Sequence, residues 1–126
     1  MACNKSGSRK PCATQVCTLE FQSVVVKFVD KQGQPVVVQN YRAVNLTTGR
    51  AVSGAGAIDA VKKPGYYTVI NDSSIEQLSG LGNDIQVTAV NPATNQSLTA
   101  NFEISGGKCA CHINKISGPE QVVFFE

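Results

Sequence analysis

Leu98-Thr99-Ala100-Asn101-Phe102-Glu103-Ile104-Ser105 decides the fold. Apolar and polar residues alternate without a break through this run, and a period of two places Leu98, Ala100, Phe102 and Ile104 on one face of a strand. One covered face and one wet face belong to an antiparallel sheet. The pattern repeats upstream, where Ile85, Val87 and Ala89 alternate with Gln86 and Thr88. Asn91-Pro92-Ala93-Thr94-Asn95 supplies the turn between the two runs. Earlier, a first strand spans about Leu19 to Val29. Val24, Val26 and Phe28 face one way on it, and Phe21, Val25 and Val29 the other. Asp30 to Pro35 turns the chain into a second strand from about Val36 to Asn45. Thr47-Thr48-Gly49-Arg50 closes a hairpin into Ala51 and Val52.

The Gly-rich stretch Ser53-Gly54-Ala55-Gly56 interrupts the pattern, and Ala57 to Val61 reads as a short edge segment. Lys63-Pro64-Gly65 reads as a tight turn, and Tyr66 to Ile70 as a strand of strong β formers. Asn71 to Asn83 is the longest irregular stretch, with one helical turn expected at Ser74 to Leu78. Val122-Val123-Phe124-Phe125 is a last edge strand. Strand follows strand with no long helix between. This predicts an all-β fold, a single antiparallel β-sandwich of about seven to eight strands.

A chain of 126 residues is one domain by size, and buries roughly two-thirds of its unfolded surface. Residues 1–11 read as a flexible N-terminal tether and 12–126 as the sandwich. A net charge of +2 with scattered Lys and Arg argues against nucleic acid as a partner, and no apolar run is long enough for a membrane helix. Cys3, followed by the small polar stretch Asn4 to Pro11, resembles the lipidated cysteine of a mature lipoprotein terminus. A lipid on Cys3 is thus the expected membrane contact.

Val25-Lys27-Phe28-Val29-Asp30 with Gly33-Gln34-Pro35-Val36 resembles the opening of carboxypeptidase regulatory-like domains. Asn45-Leu46-Thr47-Thr48-Gly49 is similar to their second hairpin, and Pro64-Gly65-Tyr66-Tyr67-Thr68-Val69 to their Pro-Gly-x-Tyr strand. Transthyretin-like domains share these turns. The likeness covers about Ser23 to Ile104, and the insert Ser53 to Ala57 departs from it. The ending around Cys109-Ala110-Cys111-His112 is similar to small bacterial surface lipoproteins. The resemblance implies a prealbumin-like or immunoglobulin-like sandwich, exported to the outer membrane or cell surface, and implies no catalytic residues and no cofactor.

Five cysteines and one histidine carry the remaining chemistry. Gly106-Gly107 reads as a hairpin turn, after which Cys109, Cys111 and Ile113 share one strand face. Cys12 and Cys17 suit a segment crossing that face. A Cys109–Cys111 bridge would kink the strand, so two bridges joining Cys12 and Cys17 to Cys109 and Cys111 are expected, in either pairing. Each closes nearly the whole domain, worth ~4 kcal/mol or more in the chain-entropy model. The competing arrangement is a thiolate metal site or redox centre of Cys12, Cys17, Cys109 and Cys111 beside His112. It lacks the short ligand spacers of structural zinc sites, so no metal is assigned.

His112 is expected to make a local hydrogen bond. No nucleophile–base pairing is visible around it, so the chain reads as non-enzymatic. Tyr66 and Tyr67, with Asp72 in the adjoining loop, form the candidate ligand face, suited to carbohydrate or another surface protein. The alternatives are a metal-handling or redox protein built on the cysteines, and a purely structural spacer.

Overall fold

A computed structural model describes Cys17 and residues 19–125. The expected tether 1–11, with Cys3 and Cys12, lies outside the described residues. Among the described residues, nine strands form two facing sheets: β1 (Ser23–Val29), β2 (Gln39–Asn45), β3 (Arg50–Ala51), β4 (Gly56–Asp59), β5 (Lys63–Asn71), β6 (Asn83–Val90), β7 (Ser97–Ser105), β8 (Asn114–Ser117) and β9 (Gln121–Val123). One sheet runs β4-β5-β1-β9 and the other β3-β2-β6-β7-β8. The fold is the all-β sandwich that the alternating runs require. β3 and β9, at two and three residues, take the strand number above the expected range.

The regular hairpin β6–β7 holds an unbroken antiparallel register from Asn83↔Ile104 to Val90↔Ser97. Ile85, Val87, Ala89, Ala100, Phe102 and Ile104 point from it into the core. They meet Val24, Val26, Phe28, Tyr67 and Val69 of the facing sheet in one apolar cluster. Burying each large side chain is worth about 1.5–3 kcal/mol, which is what clamps the sheets together. The turn at Asn91 follows from local chemistry, because its side chain accepts from Ala93 N–H at 3.0 Å and its carbonyl from Asn95 N–H at 2.7 Å.

β9 pairs in parallel with β1, with Lys27↔Gln121, Phe28↔Val122 and Val29↔Val123. The chain crosses there from β8 of the other sheet through Gly118-Pro119. Phe124, fully buried, anchors the tail, and its N–H donates to Val29 O at 2.9 Å.

Four local expectations give way to the structure. The expected strand through Cys109, Cys111 and Ile113 is irregular chain, and β8 starts only at Asn114. Gly106-Gly107 makes no hairpin, because Gly106 N–H donates to Ser79 O (3.1 Å) and Gly107 N–H to Ile75 O (2.8 Å), drawing that backbone onto the preceding loop. Next, Lys63-Pro64-Gly65 begins β5 instead of turning. The turn is Ala60 to Lys62, closed by Asp59 Oδ1 accepting from the N–H groups of Val61 and Lys62, both at 3.0 Å. Gly65 keeps its left-handed φ of +87°, with Phe28 O and Pro35 where a Cβ would stand. Finally, β2 begins at Gln39, not Val36, since Val36 N–H donates to Phe28 O and Val38 N–H to the Tyr67 hydroxyl, both at 2.9 Å, which spends that backbone on the facing sheet.

Candidate functional site

Cys17 and Cys111 are joined in a disulfide with Cα atoms 5.3 Å apart, across 94 positions of sequence. Cys109 is disulfide-bonded as well. The bridge therefore links the approach to β1 with the irregular chain ahead of β8.

Asp72 reinforces that link. It opens a 3₁₀ segment, Asp72–Gln77, after β5, where the Asn71 side chain caps the turn by accepting from Ser73 N–H. Asp72 Oδ2 accepts from Gln22 N–H at 2.9 Å and lies 2.6 Å from His112 Nδ1. Oδ1 accepts from Ile113 N–H at 2.8 Å. One carboxylate thus ties the start of the first sheet, the loop after β5 and the Cys111 segment together. Burial by itself would raise its pKa. The hydrogen bonds from Gln22, His112 and Ile113, with the charge of His112, outweigh that and hold Asp72 below the ordinary aspartate value of 3.8.

A His–Asp pair can orient a general base when a nucleophile stands beside the imidazole. Here the adjacent sulfur, that of Cys111, is spent in a disulfide. Of the neighbouring serines, Ser73 donates its hydroxyl to Asn71. Ser74 is buried against Ser53. What this geometry does is fasten three segments. The reach of His112 to a residue 40 positions away is not the local bond expected of it, and no sequence spacing marks such a contact. Among the described residues, no group of three or more His, Cys, Asp or Glu is placed to hold a metal ion.

The two tyrosines of the expected ligand face part company. Strand alternation in β5 turns Tyr66 outward at 36 % exposure and Tyr67 into the core at 4 %. Tyr67 packs against Tyr41 (centroids 4.6 Å apart) and edge-on to Phe28 (5.5 Å). Its hydroxyl oxygen accepts from Val38 N–H at 2.9 Å. Tyr67 is a sheet-to-sheet bolt and not a contact residue, because its neighbours on that face, Val69 and Gly65, are buried too. Tyr41, which no motif singles out, completes the cluster and donates its hydroxyl to Thr68 O at 2.8 Å. Burial, followed by the neighbouring Tyr67, pushes its pKa well above the usual phenol value. Asp72 is also withdrawn from any ligand face, its side chain only 11 % exposed and both oxygens engaged.

Hollows on the described surface offer other places for a ligand. One, of about 290 Å³, is lined by Thr48, Arg50 and Gln77. Another, of about 370 Å³, lies on the outer face of the four-stranded sheet and is lined by Val25, Lys27, Tyr66, Glu120 and Gln121. Tyr66 alone of the expected ligand residues reaches it.

No family model, curated protein or solved structure matches the chain. The likeness to carboxypeptidase regulatory-like domains therefore rests on its turn motifs alone. The functional reading has to come from the chain's own chemistry.

Proposed function

We propose that this chain is a non-enzymatic accessory or binding module, exported from the cytoplasm and held at the cell surface through a lipid on Cys3. The observation that carries the reading is the Cys17–Cys111 disulfide. Structural disulfides persist in oxidising compartments and are rare where glutathione keeps thiols reduced. A bridge between two distant regions of the chain stabilises a small sandwich in such a compartment. The use of Asp72 and His112 as fasteners supports the same reading, since it spends the obvious acid–base pair on stability. A module of this kind takes carbohydrate or another surface protein, and no nucleic acid.

The test is the intact mass of non-reduced protein after thiol alkylation under denaturing conditions, with metal analysis of the same sample. The expected result is one alkylated cysteine out of five and no bound metal. Five alkylated cysteines with stoichiometric zinc or copper would sink the reading and move the function to a metal-handling or redox cluster of Cys12, Cys17, Cys109 and Cys111. Cys3 and Cys12 lie outside the described residues, so membrane attachment is tested separately. Protein expressed with a lipoprotein leader partitions into membranes, and Cys3→Ser releases it.

A further inference from the structure

Among the described residues, the disulfide and the Asp72 junction leave the outer face of the four-stranded sheet unused. Register places Tyr66, Lys27 and Gln121 side by side across β5, β1 and β9, with Val25 the next outward residue along β1. Glu120 precedes β9, and its carbonyl accepts from Lys27 N–H at 3.0 Å, fixing it beside that row. The hollow of about 370 Å³ that these five residues line is within the size range of small-ligand clefts. Lys27 Nζ sits 5.1 Å from the centre of the Tyr66 ring, an attraction that keeps the ammonium in the groove.

Each lining residue offers a different contact. Val25 and the Tyr66 ring make a narrow apolar strip. The Glu120 carboxylate accepts, the Lys27 ammonium donates, and the Gln121 amide does both. An apolar ligand would strip water from both charges without replacing it. An anion meets Glu120, and a cation meets Lys27. The complement is a neutral molecule with a donor and an acceptor close together and an apolar edge.

We propose that this groove binds an N-acetylated hexosamine residue of an oligosaccharide. The acetamido N–H donates to Glu120, and its carbonyl accepts from Lys27 or Gln121. The methyl and the C–H face of the sugar lie on Val25 and Tyr66. The inference rests on the binding-module reading and names its ligand class. An open groove of this kind holds one sugar weakly, on the order of millimolar.

The experiment is an amide chemical-shift titration of the disulfide-intact protein with chitotriose. Cellotriose, which carries hydroxyls in place of the acetamido groups, is the control. Saturable shifts are expected at Val25, Lys27, Tyr66 and Gln121, with binding about tenfold weaker for cellotriose. Tyr66→Ala and Glu120→Gln are each expected to weaken chitotriose about tenfold, and Glu120→Gln, at an exposed position, to leave the melting temperature unchanged. Silence with chitotriose, shifts confined to other surfaces, or an equal response to cellotriose overturns the proposal. These outcomes are separable from the fate of the exported-module reading, which is decided by thiol counting. Chitotriose binding in a protein with free thiols would support the groove and remove the compartment.

Discussion

Two knots tie distant parts of this sandwich, and they are made of different materials. The first is aromatic: Phe28 from β1 meets Tyr67 from β5, Tyr41 from β2 and Phe124 beyond β9, at centroid separations of 5.5, 6.1 and 5.9 Å. The second is polar and covalent: Asp72, His112 and the Cys17–Cys111 bridge gather three loop segments. Dispersion and area hold the first, so ordinary changes of solvent leave it closed. The second can be opened by a reductant or by acid. The fold thus keeps its rigidity in one place and its sensitivity in another.

The largest expected break is in the aromatic knot. Phe28→Ala removes a ring that is 1 % exposed and touches every other member. It should cost about 3–5 kcal/mol in denaturant unfolding, equally with and without reductant. Second comes the covalent tie. Cys17→Ser combined with Cys111→Ser opens the bridge that spans 94 positions and, with Cys109 still bonded, should cost about 2–3 kcal/mol. Reductant should bring the wild-type protein down at least to the level of this double variant. If reductant left wild-type stability untouched, the comparison between the two knots would collapse.

Phe28 of the aromatic knot and the covalent half of the polar one were legible in advance; the inward turn of Tyr67, the part played by Tyr41 and the Asp72–His112 contact were not. Phe28 follows Val24 and Val26 at period two, and Phe102 sits inside an unbroken alternation, so their faces can be assigned from neighbours alone. The same rule already held the answer for Tyr66 and Tyr67. Consecutive strand residues cannot share a face, and Val69 marks the inward one. Reading both tyrosines as one patch let aromatic chemistry override that geometry. Cys109, Cys111 and Ile113 failed for the opposite reason. They alternate as a strand would, yet Asp72 Oδ1 takes the Ile113 N–H and the preceding loop takes those of Gly106 and Gly107. The Asp72–His112 contact reaches across 40 positions and leaves no local trace, whereas the Cys17–Cys111 bridge is one of the pairings that the cysteines themselves suggest. The groove was half visible: Tyr66 announces itself, but Glu120 and Gln121 join it only because β9 pairs in parallel with β1.

A smaller loss, about 1–3 kcal/mol, is expected from Asp72→Asn, which weakens charge-assisted bonds to Gln22, His112 and Ile113. Its more telling signature is in acid. The folded-state pKa of Asp72 lies below the ordinary 3.8, so the unfolded chain takes up the proton first. This carboxylate's contribution is full above that value and drains away as pH falls through the native pKa. Stability measured against pH should lose that limb in Asp72→Asn and keep it in Phe28→Ala. An unchanged acid limb in Asp72→Asn would show that other carboxylates carry it.

The finest test compares the neighbours on β5. Tyr67→Phe deletes the acceptor for the buried Val38 N–H and should cost about 1–2 kcal/mol, most of it from leaving that donor unpaired. Tyr66→Phe removes a hydroxyl from the more exposed ring and should stay within about 0.5 kcal/mol. The same chemical change at consecutive positions thus reports on orientation alone. Equal costs would mean that Tyr67 does not bolt the sheets, and its place in the aromatic knot would have to be given up. Unequal costs, with Tyr66→Phe silent, mean that packing does not require the Tyr66 hydroxyl and that a ligand is free to use it.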